Sequence, residues 1–505
     1  MRPMFRVRKL SALVHFSALA LAACGGGGGD DTPAPVATAP TTAPSAGGPV
    51  APAPSPVVSP APGTTAVTGD IVAAANTAYT VTAAGPGPVT ITLPANSALA
   101  AGDTVTVTGA SATEWQIAQN AGQSILTSSL PGGTAPGTTW SAASVGSQVW
   151  HWLSPNVTGD VLVAGEAPLG QLRVSADAGT TWTTPTLPAG VWISSDLSAD
   201  GSQIVAVQFQ GGMYLSTDRG VTWTRVMHPL VNATAGVQFE SVTMSRDGMR
   251  LAAVTRDGLM LLSADGGTTW TSATLPATTE PKVFRAVDSS SDGQVIVAVS
   301  QGGDVFRSTN GGTTFALVPV VIGTAPTTTT VHENWYRMKM SPDGRTIAIV
   351  ANSIESVAPG TGIYVSHDGG ATWTKGLNRT GDYTGVAMSD DGSEIAATVS
   401  NTGATPGQVF RSTDGGATFA PLTMPAGSTD WRAVAMSADG NRLAVAAGFF
   451  LTREAGPLLL SSGSRTTLGA TGAIGGGGAG ETLQLRYVGN GTFRIVQATG
   501  TFTPR

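Results

Sequence analysis

One eight-residue phrase is written six times into this chain of 505 residues. The fullest copy is Ser263-Ala264-Asp265-Gly266-Gly267-Thr268-Thr269-Trp270, and others begin at Ser175, Ser216, Ser308, Ser366 and Ser412. The pattern is Ser-x-Asp/Asn-x-Gly-x-Thr-Trp/Phe. An Asp or Asn side chain can fold back onto backbone amides and hold a turn. Gly in the fifth place tolerates a positive φ that a side chain would resist. The aromatic ring then seals an apolar layer beneath the turn.

A second phrase, Ser-x-Asp-Gly, alternates with the first at Ser198, Ser245, Ser290, Ser341, Ser389 and Ser437, with a weaker copy at Ser154-Pro155-Asn156. Asp-Gly between two β-rich runs marks a hairpin. The runs that follow, such as Ile204–Val207, Leu251–Val254 and Ile347–Val350, are almost wholly apolar, as strands covered on both faces are. Starts fall 44 to 51 residues apart. Four strands at this period describe a propeller blade. The expectation is an all-β chain: a seven-bladed β-propeller over 137–470, with a small β domain made of N- and C-terminal segments.

The first phrase resembles the Asp-box, or BNR repeat, of bacterial sialidases, family 74 glycoside hydrolases and many non-enzymatic propellers. In all of these the box staples a hairpin, so the resemblance implies structure rather than chemistry. Photosystem assembly factors with similar repeats imply that such rings can bind proteins.

Two defects predict how the ring closes. Gly137-Thr138-Thr139-Trp140 is the back half of a box, while the last repeat decays after Ser461 into Ser462-Gly463-Ser464-Arg465. A ring must remove its free edges. The outer strand of the last blade is therefore expected from the N-terminal side, with Trp140 beside Leu459 and buried like Trp182, Trp223, Trp270 and Trp373. Outside the repeats, 66–130 and 479–505 carry short strands without boxes. Thr92-Leu93-Pro94, Gly102-Asp103-Thr104 and Leu485–Gly491 resemble β modules of phage-tail and surface-fibre type, where such phrases belong to one unit. A split β module with the propeller inserted in it follows.

The first 23 residues read as an export signal: Arg2, Arg6, Arg8 and Lys9, an apolar run, then Leu21-Ala22-Ala23-Cys24. The last four residues resemble a bacterial lipobox, which implies lipid attachment at Cys24, the only cysteine. Acyl chains would hold the protein on a membrane without a span. Residues 24–65 are Gly-, Pro- and Thr-rich and read as a tether. Removing the signal's four cations leaves 22 basic against 32 acidic residues, a net −10. This excludes a basic nucleic-acid footprint.

Six residues before each Ser of the second phrase stands an aromatic: Trp192, Phe239, Phe284, Trp335, Tyr383 and Trp431. The first repeat departs, with Trp150 and Trp152 shifted. These six, with Arg285, Tyr336 and Arg432, are the candidate ligand-binding residues at the central mouth. Glu240, Glu333, Asp382 and Asp430 are further polar candidates there. The long connections 320–330, 352–361 and 401–407 would extend the rim. A sialidase would need three arginines, a Tyr–Glu pair, an Asp acid and a Phe-Arg-Ile-Pro ahead of its boxes, and nothing like the last precedes the boxes here. No catalytic residue, metal ligand or cofactor is assigned. The expected function is a monomeric, lipid-anchored envelope protein that binds or scaffolds a glycan or protein. The alternative is a glycoside hydrolase, sialidase-like or family 74-like.

Overall fold

The computed structural model describes residues 64–505, apart from 167–169, 232–235, 279–281, 324–326, 353–361, 378, 380, 401–405, 427–429 and 450–453. The signal, most of the tether, Cys24 and much of two expected rim loops lie outside the described residues. The chain is all-β apart from one 3-10 turn, Asn96–Ala98, among the described residues.

Each repeat runs outward as an antiparallel meander. In one, Trp335–Met340, Ile347–Ala351, Ile363–Ser366 and Thr374–Leu377 pair in that order. All five residues of Ile347–Ala351 are buried, because neighbouring sheets cover both faces. The innermost strands are Trp150–Pro155, Val191–Leu197, Val237–Met244, Phe284–Ser289, Trp335–Met340, Tyr383–Met388 and Trp431–Met436. Each touches the innermost strands before and after it, and the last returns to the first. The fold is a β-propeller around a central channel. Sheet pairing separates four four-stranded sheets, a three-stranded sheet and an eight-stranded sheet, in which two meanders join where Phe209 pairs with Gln238.

Both phrases are hydrogen-bonded staples. Ser263 Oγ accepts from Gly267 N (2.9 Å) and donates to Asp265 Oδ1 (2.8 Å). Asp265 also accepts from Thr269 N (2.9 Å) and its hydroxyl (2.6 Å), and the Trp270 indole donates to the Gly267 carbonyl (2.9 Å). Gly267 has φ 87°, and a Cβ there would meet Leu215 at 2.7 Å. In the second phrase Ser290 Oγ accepts from Val295 N (2.9 Å) and donates to Asp292 (2.6 Å).

The first repeat is in a different register from the one expected. Asn156, not Ser154, takes the serine's place: its Oδ1 accepts from Val161 N (3.0 Å), and its carbonyl accepts from Gly159 N (3.1 Å). Trp150 then stands six residues ahead like its counterparts, so the repeat does not depart from the pattern.

A ring of backbone bonds encircles the channel where the innermost strands end. Val157 N donates to Ala199 O, Ala199 N to Arg246 O, Arg246 N to Ser291 O and Ser291 N to Pro342 O, at 2.8–3.3 Å. Asp390 N donates to Ala438 O (2.7 Å) and Ala438 N to Val157 O (2.8 Å). The link from Pro342 to Asp390 is missing because proline has no N–H.

The last sheet pairs Trp431–Met436, Arg442–Phe449 and Glu454–Ser462 with Ser141–Ala142 from the N-terminal side, Leu459 opposite Ala142. Trp140 packs against the cluster that contains Leu459. It is half-buried, as Trp182 and Trp223 are, whereas Trp270 (4% exposed) and Trp373 (3%) are buried. The expected uniform burial of these rings is thus corrected. The Trp140 indole donates to Thr423 O (3.1 Å), whereas those of Trp182, Trp223, Trp270 and Trp373 donate to a glycine carbonyl of their own turns.

Strands from both ends of the chain share two further sheets. One runs Thr65–Val67, Thr77–Val81, Thr104–Gly109, Thr482–Gly489, Thr492–Thr499, Ser124–Leu126; the other runs Ile71–Val72, Val89–Thr92, Trp115–Ala118, Ala473–Gly477, Thr503–Pro504. One core holds them, including Val81, Trp115, Leu483 and Phe493. The C-terminal share begins at Ala473 rather than 479, because Ile474 pairs with Ile117. Arg494 and Arg486 reach Asp391 of the propeller at 3.6 and 3.4 Å, and Arg494 reaches Glu394 at 3.4 Å. The expected loop after Val320 contains a hairpin, Val320–Ile322 with Thr329–Val331.

Candidate functional site

Every innermost strand carries a bulge one residue after its leading aromatic. Register shifts fall between Trp192 and Ser194, Phe239 and Ser241, Phe284 and Ala286, Trp335 and Arg337, Tyr383 and Gly385, and Trp431 and Ala433. In the first repeat the shift isolates His151. A bulge inserts an extra residue and re-aims the side chains around it. The aromatic turns into the core, and a residue one place on (His151, Ile193, Glu240, Thr384, Arg432) or two places on (Ala286, Arg337) lines the channel.

The six aromatic candidates therefore do not form a ligand surface. Trp192 and Trp431 are 1% exposed, and Phe239, Phe284, Trp335 and Tyr383 are 0% exposed. They fill the spaces between sheets: Trp335 packs edge-on against Tyr364 at 5.2 Å and donates to Gly303 O at 2.8 Å. The inter-sheet core takes these rings because each innermost strand needs a large apolar wedge there.

The residues after the aromatics fare differently. A channel cavity of about 230 Å³ is lined along the innermost strands, with His151, Ile193, Glu240, Arg337, Thr384 and Arg432 at the end where those strands begin. Arg285 is buried against Glu240 (3.4 Å) and donates to Gln301 (2.8 Å). Glu240 also takes Arg256 (3.4 Å). Arg432 donates to Gly448 O (3.1 Å) and lies 3.5 Å from Asp430. Tyr336 lies under the Arg337 guanidinium, 4.3 Å from its ring centre. Arg337 itself donates only weakly, to the carbonyls of Arg285 and Tyr336 at 3.4 Å, and makes no ion pair among the described residues. Burial, then the charge of Arg337, and less strongly that of Arg432, lower His151 to about 3, so its imidazole is neutral. The Trp192 backbone offsets this only in part. This end of the channel presents an unneutralised cation beside a neutral polar ring. Of the nine candidates, Arg432 lines the cavity, while Arg285 and Tyr336 flank Arg337; His151, Thr384 and Arg337 were missed. The signal that could have found them is their place directly after, or two after, the aromatic.

Deeper in the channel, Asp196 and Asp288 lie on either side of the Thr243 hydroxyl, at 3.0 and 3.3 Å. Each also accepts the backbone N–H of the next innermost strand, Met244 or Met340, at 2.8 Å. Lys339 reaches Asp288 at 3.1 Å. Burial raises Asp196. Burial would lower Lys339, but Asp288 and Asp196 hold it above its usual value. At the far end Arg246 crosses the channel to Asp390 (2.5 Å), which also accepts from Asn490 (3.3 Å) of the terminal sheets. Among the described residues, the channel is crossed by an ion pair at one end and open beside Arg337 at the other.

The BNR/Asp-box repeat family matches residues 364–375, the box that begins at Ser366. Comparison with curated proteins gives no match. Similar solved structures include YCF48 bound to D1 peptide, with 18% identity and a TM-score of 0.46 over 64% of this chain and 96% of that one. YCF48 from Cyanidioschyzon merolae gives 15% and 0.44 over 64% and 98%. The β-propeller domain of Myceliophteria thermophila Cps50 (Swd1) gives 11% and 0.46 over 64% and 99%.

Proposed function

We propose that this chain is a seven-bladed binding propeller, inserted in a split terminal β module and held at the cell envelope by lipid on Cys24. Its ligand, a glycan or a protein, enters the open end of the channel and places an anionic group on Arg337. The observation that carries this reading is the Arg337 guanidinium. It is stacked on Tyr336, lines the cavity and pairs with no carboxylate among the described residues. A ligand carboxylate there would make charge-assisted hydrogen bonds away from bulk water. Seven blades are supported by the backbone ring and by the first repeat, whose sheet gains a fourth edge where Val174 bridges Thr183. The eight-stranded sheet then counts as two blades. The lipobox-like Leu21-Ala22-Ala23-Cys24 supports the anchor.

The test is an array of acidic and neutral glycans and peptides, followed by titration of each hit with wild type and Arg337→Gln. Acidic hits should weaken at least about tenfold in the variant. Hits that are all neutral, or equal affinity in both proteins, would overturn the reading. Glycoside hydrolysis has one observation in its favour: Arg337 and Arg432 both line one end of the channel. Turnover of a chromogenic sialoside that is lost in Arg337→Gln would favour it over binding alone.

A further inference from the structure

The closing sheet meets the first sheet across a cleft of about 540 Å³. Small side chains make the room. The cluster at this seam holds Ala143, Ala164, Ala433, Ala435, Ala444 and Ala446, where another inter-sheet cluster holds Val297, Val299, Met338, Ile347 and Ile349. A related gap, lined by Arg250, Leu262 and Gly311, is only about 10 Å³. There Arg250 lies across Gly293 and Gly311 and fills the space.

Arg442 is the counterpart of Arg250, each five residues after the serine of its turn, Ser437 or Ser245. The counterpart of Gly311 is Ala178, three residues after its box serine. Both have left-handed backbones, φ 66° and 58°, but Ala178 carries a methyl where Arg250 finds open glycine. Arg442 also lies along its neighbouring turn, its Cδ 3.5 Å from where a Cβ would stand on Gly159, so the methyl of Ala178 is the local difference between the two seams. The Arg442 guanidinium lines the cleft, is half-buried and makes no ion pair among the described residues. Burial, reinforced by Arg465, lowers its pKa against the pull of Asp439 and Asp160. A hydroxyl strap from Ser144 to Thr180 O (2.7 Å) lies beside the opening. A void of this size, lined by Trp140, Leu162, Ala444 and Leu460, by several hydroxyl side chains and by one cation, falls in the range of small-ligand sites, roughly 300–1,000 Å³.

We propose that the seam binds a medium-chain amphipathic monocarboxylate, its tail among Leu162, Ala444 and Leu460 and its carboxylate on Arg442. These apolar side chains give the tail a surface to bury, and the guanidinium offers a planar fork to the head. Such a ligand bridges the first and last sheets and so clamps the ring at its closure. The proposal is independent of the ligand at the channel.

The test uses the full chain carrying Cys24→Ser, so that no acyl group competes, with sodium decanoate and decanol as probes. Calorimetry should show one decanoate per chain and weak or no binding of decanol, and decanoate should raise the melting temperature. Arg442→Gln should weaken decanoate at least about tenfold. Ala444→Leu should abolish binding by filling the cleft. Ala178→Gly removes only a methyl at a left-handed position and should fold; it gives the Arg442 guanidinium the room that Arg250 has over Gly311 and should also weaken decanoate. Equal binding of decanol and decanoate, no binding of decanoate, or affinity untouched by Arg442→Gln and Ala178→Gly would overturn the proposal.

Discussion

At the scale of single residues, acid stability divides between two kinds of group. Hydrogen bonds from Thr222, Thr269 and Thr418 hold Asp218, Asp265 and Asp414 down at about 2. A depressed carboxyl stabilises the fold above its unfolded value near 3.9 and loses that contribution as pH falls toward 2. Replacing all three by Asn should flatten the pH dependence of the melting temperature between about pH 4 and 2. Asn310 already serves one box, accepting from Thr314 N at 3.0 Å, so the variant should still fold. His151 acts over a higher range. Its folded value near 3 means that only the unfolded chain takes up its proton as pH falls below about 6.5, so stability drops from there downward. His151→Gln should lessen the loss of melting temperature between pH 7 and 5. The His151 imidazole resonances of wild type should not titrate between pH 8 and 5. The partners of the box aspartates stand in the phrase itself. The state of His151 was not legible in the sequence, because the fold buries it, and the Arg337 and Arg432 charges that add to that burial stand more than a hundred positions away.

At the scale of elements, the strands were legible because each is bounded by a turn with its own chemistry. Asp-Gly and the box mark both ends of a run whose apolar content gives its burial. What the phrases could not convey is the bulge. It is a backbone irregularity with no residue type of its own, and it decides which of two adjacent side chains faces the channel. The aromatics were therefore assigned to the mouth, and His151 and Thr384 were passed over. The register of the first repeat was hidden similarly, because Asn156 does a serine's work with an amide oxygen. Trp335→Ala should cost ~3–5 kcal/mol in denaturant unfolding, as a full core deletion does. Trp140→Ala should cost less, since that ring is only partly buried, but more than the ~0.5 kcal/mol of a surface change. Equal costs for the two would contradict the packing at the closing sheet.

At the scale of the whole molecule, closure couples distant parts of the chain. The ring begins and ends beside sheets built from both termini, and Arg486, Arg494 and Asn490 fasten those sheets to Asp390 and Asp391. The half-box at Trp140 and the decayed box after Ser461 made the closing strand legible. The cross-channel pair of Arg246 and Asp390 was not, because no local pattern relates residues 144 positions apart. Arg494→Ala should loosen the terminal sheets before the propeller, seen as earlier proteolytic cleavage near residues 110 or 480 with the propeller fragment left intact. Cleavage within the propeller first would contradict this order.

The central claim is that an anionic group belongs at the open end of the channel. Crystals of the protein soaked in bromoacetate and measured at the bromine edge test it without knowledge of the natural ligand. The account predicts an anomalous peak within about 5 Å of the Arg337 guanidinium, the reach of a carboxylate hydrogen bond plus the probe's own length, and its loss in Arg337→Gln. An empty channel in crystals whose outer surface binds the probe, or a peak that survives the substitution, would contradict it.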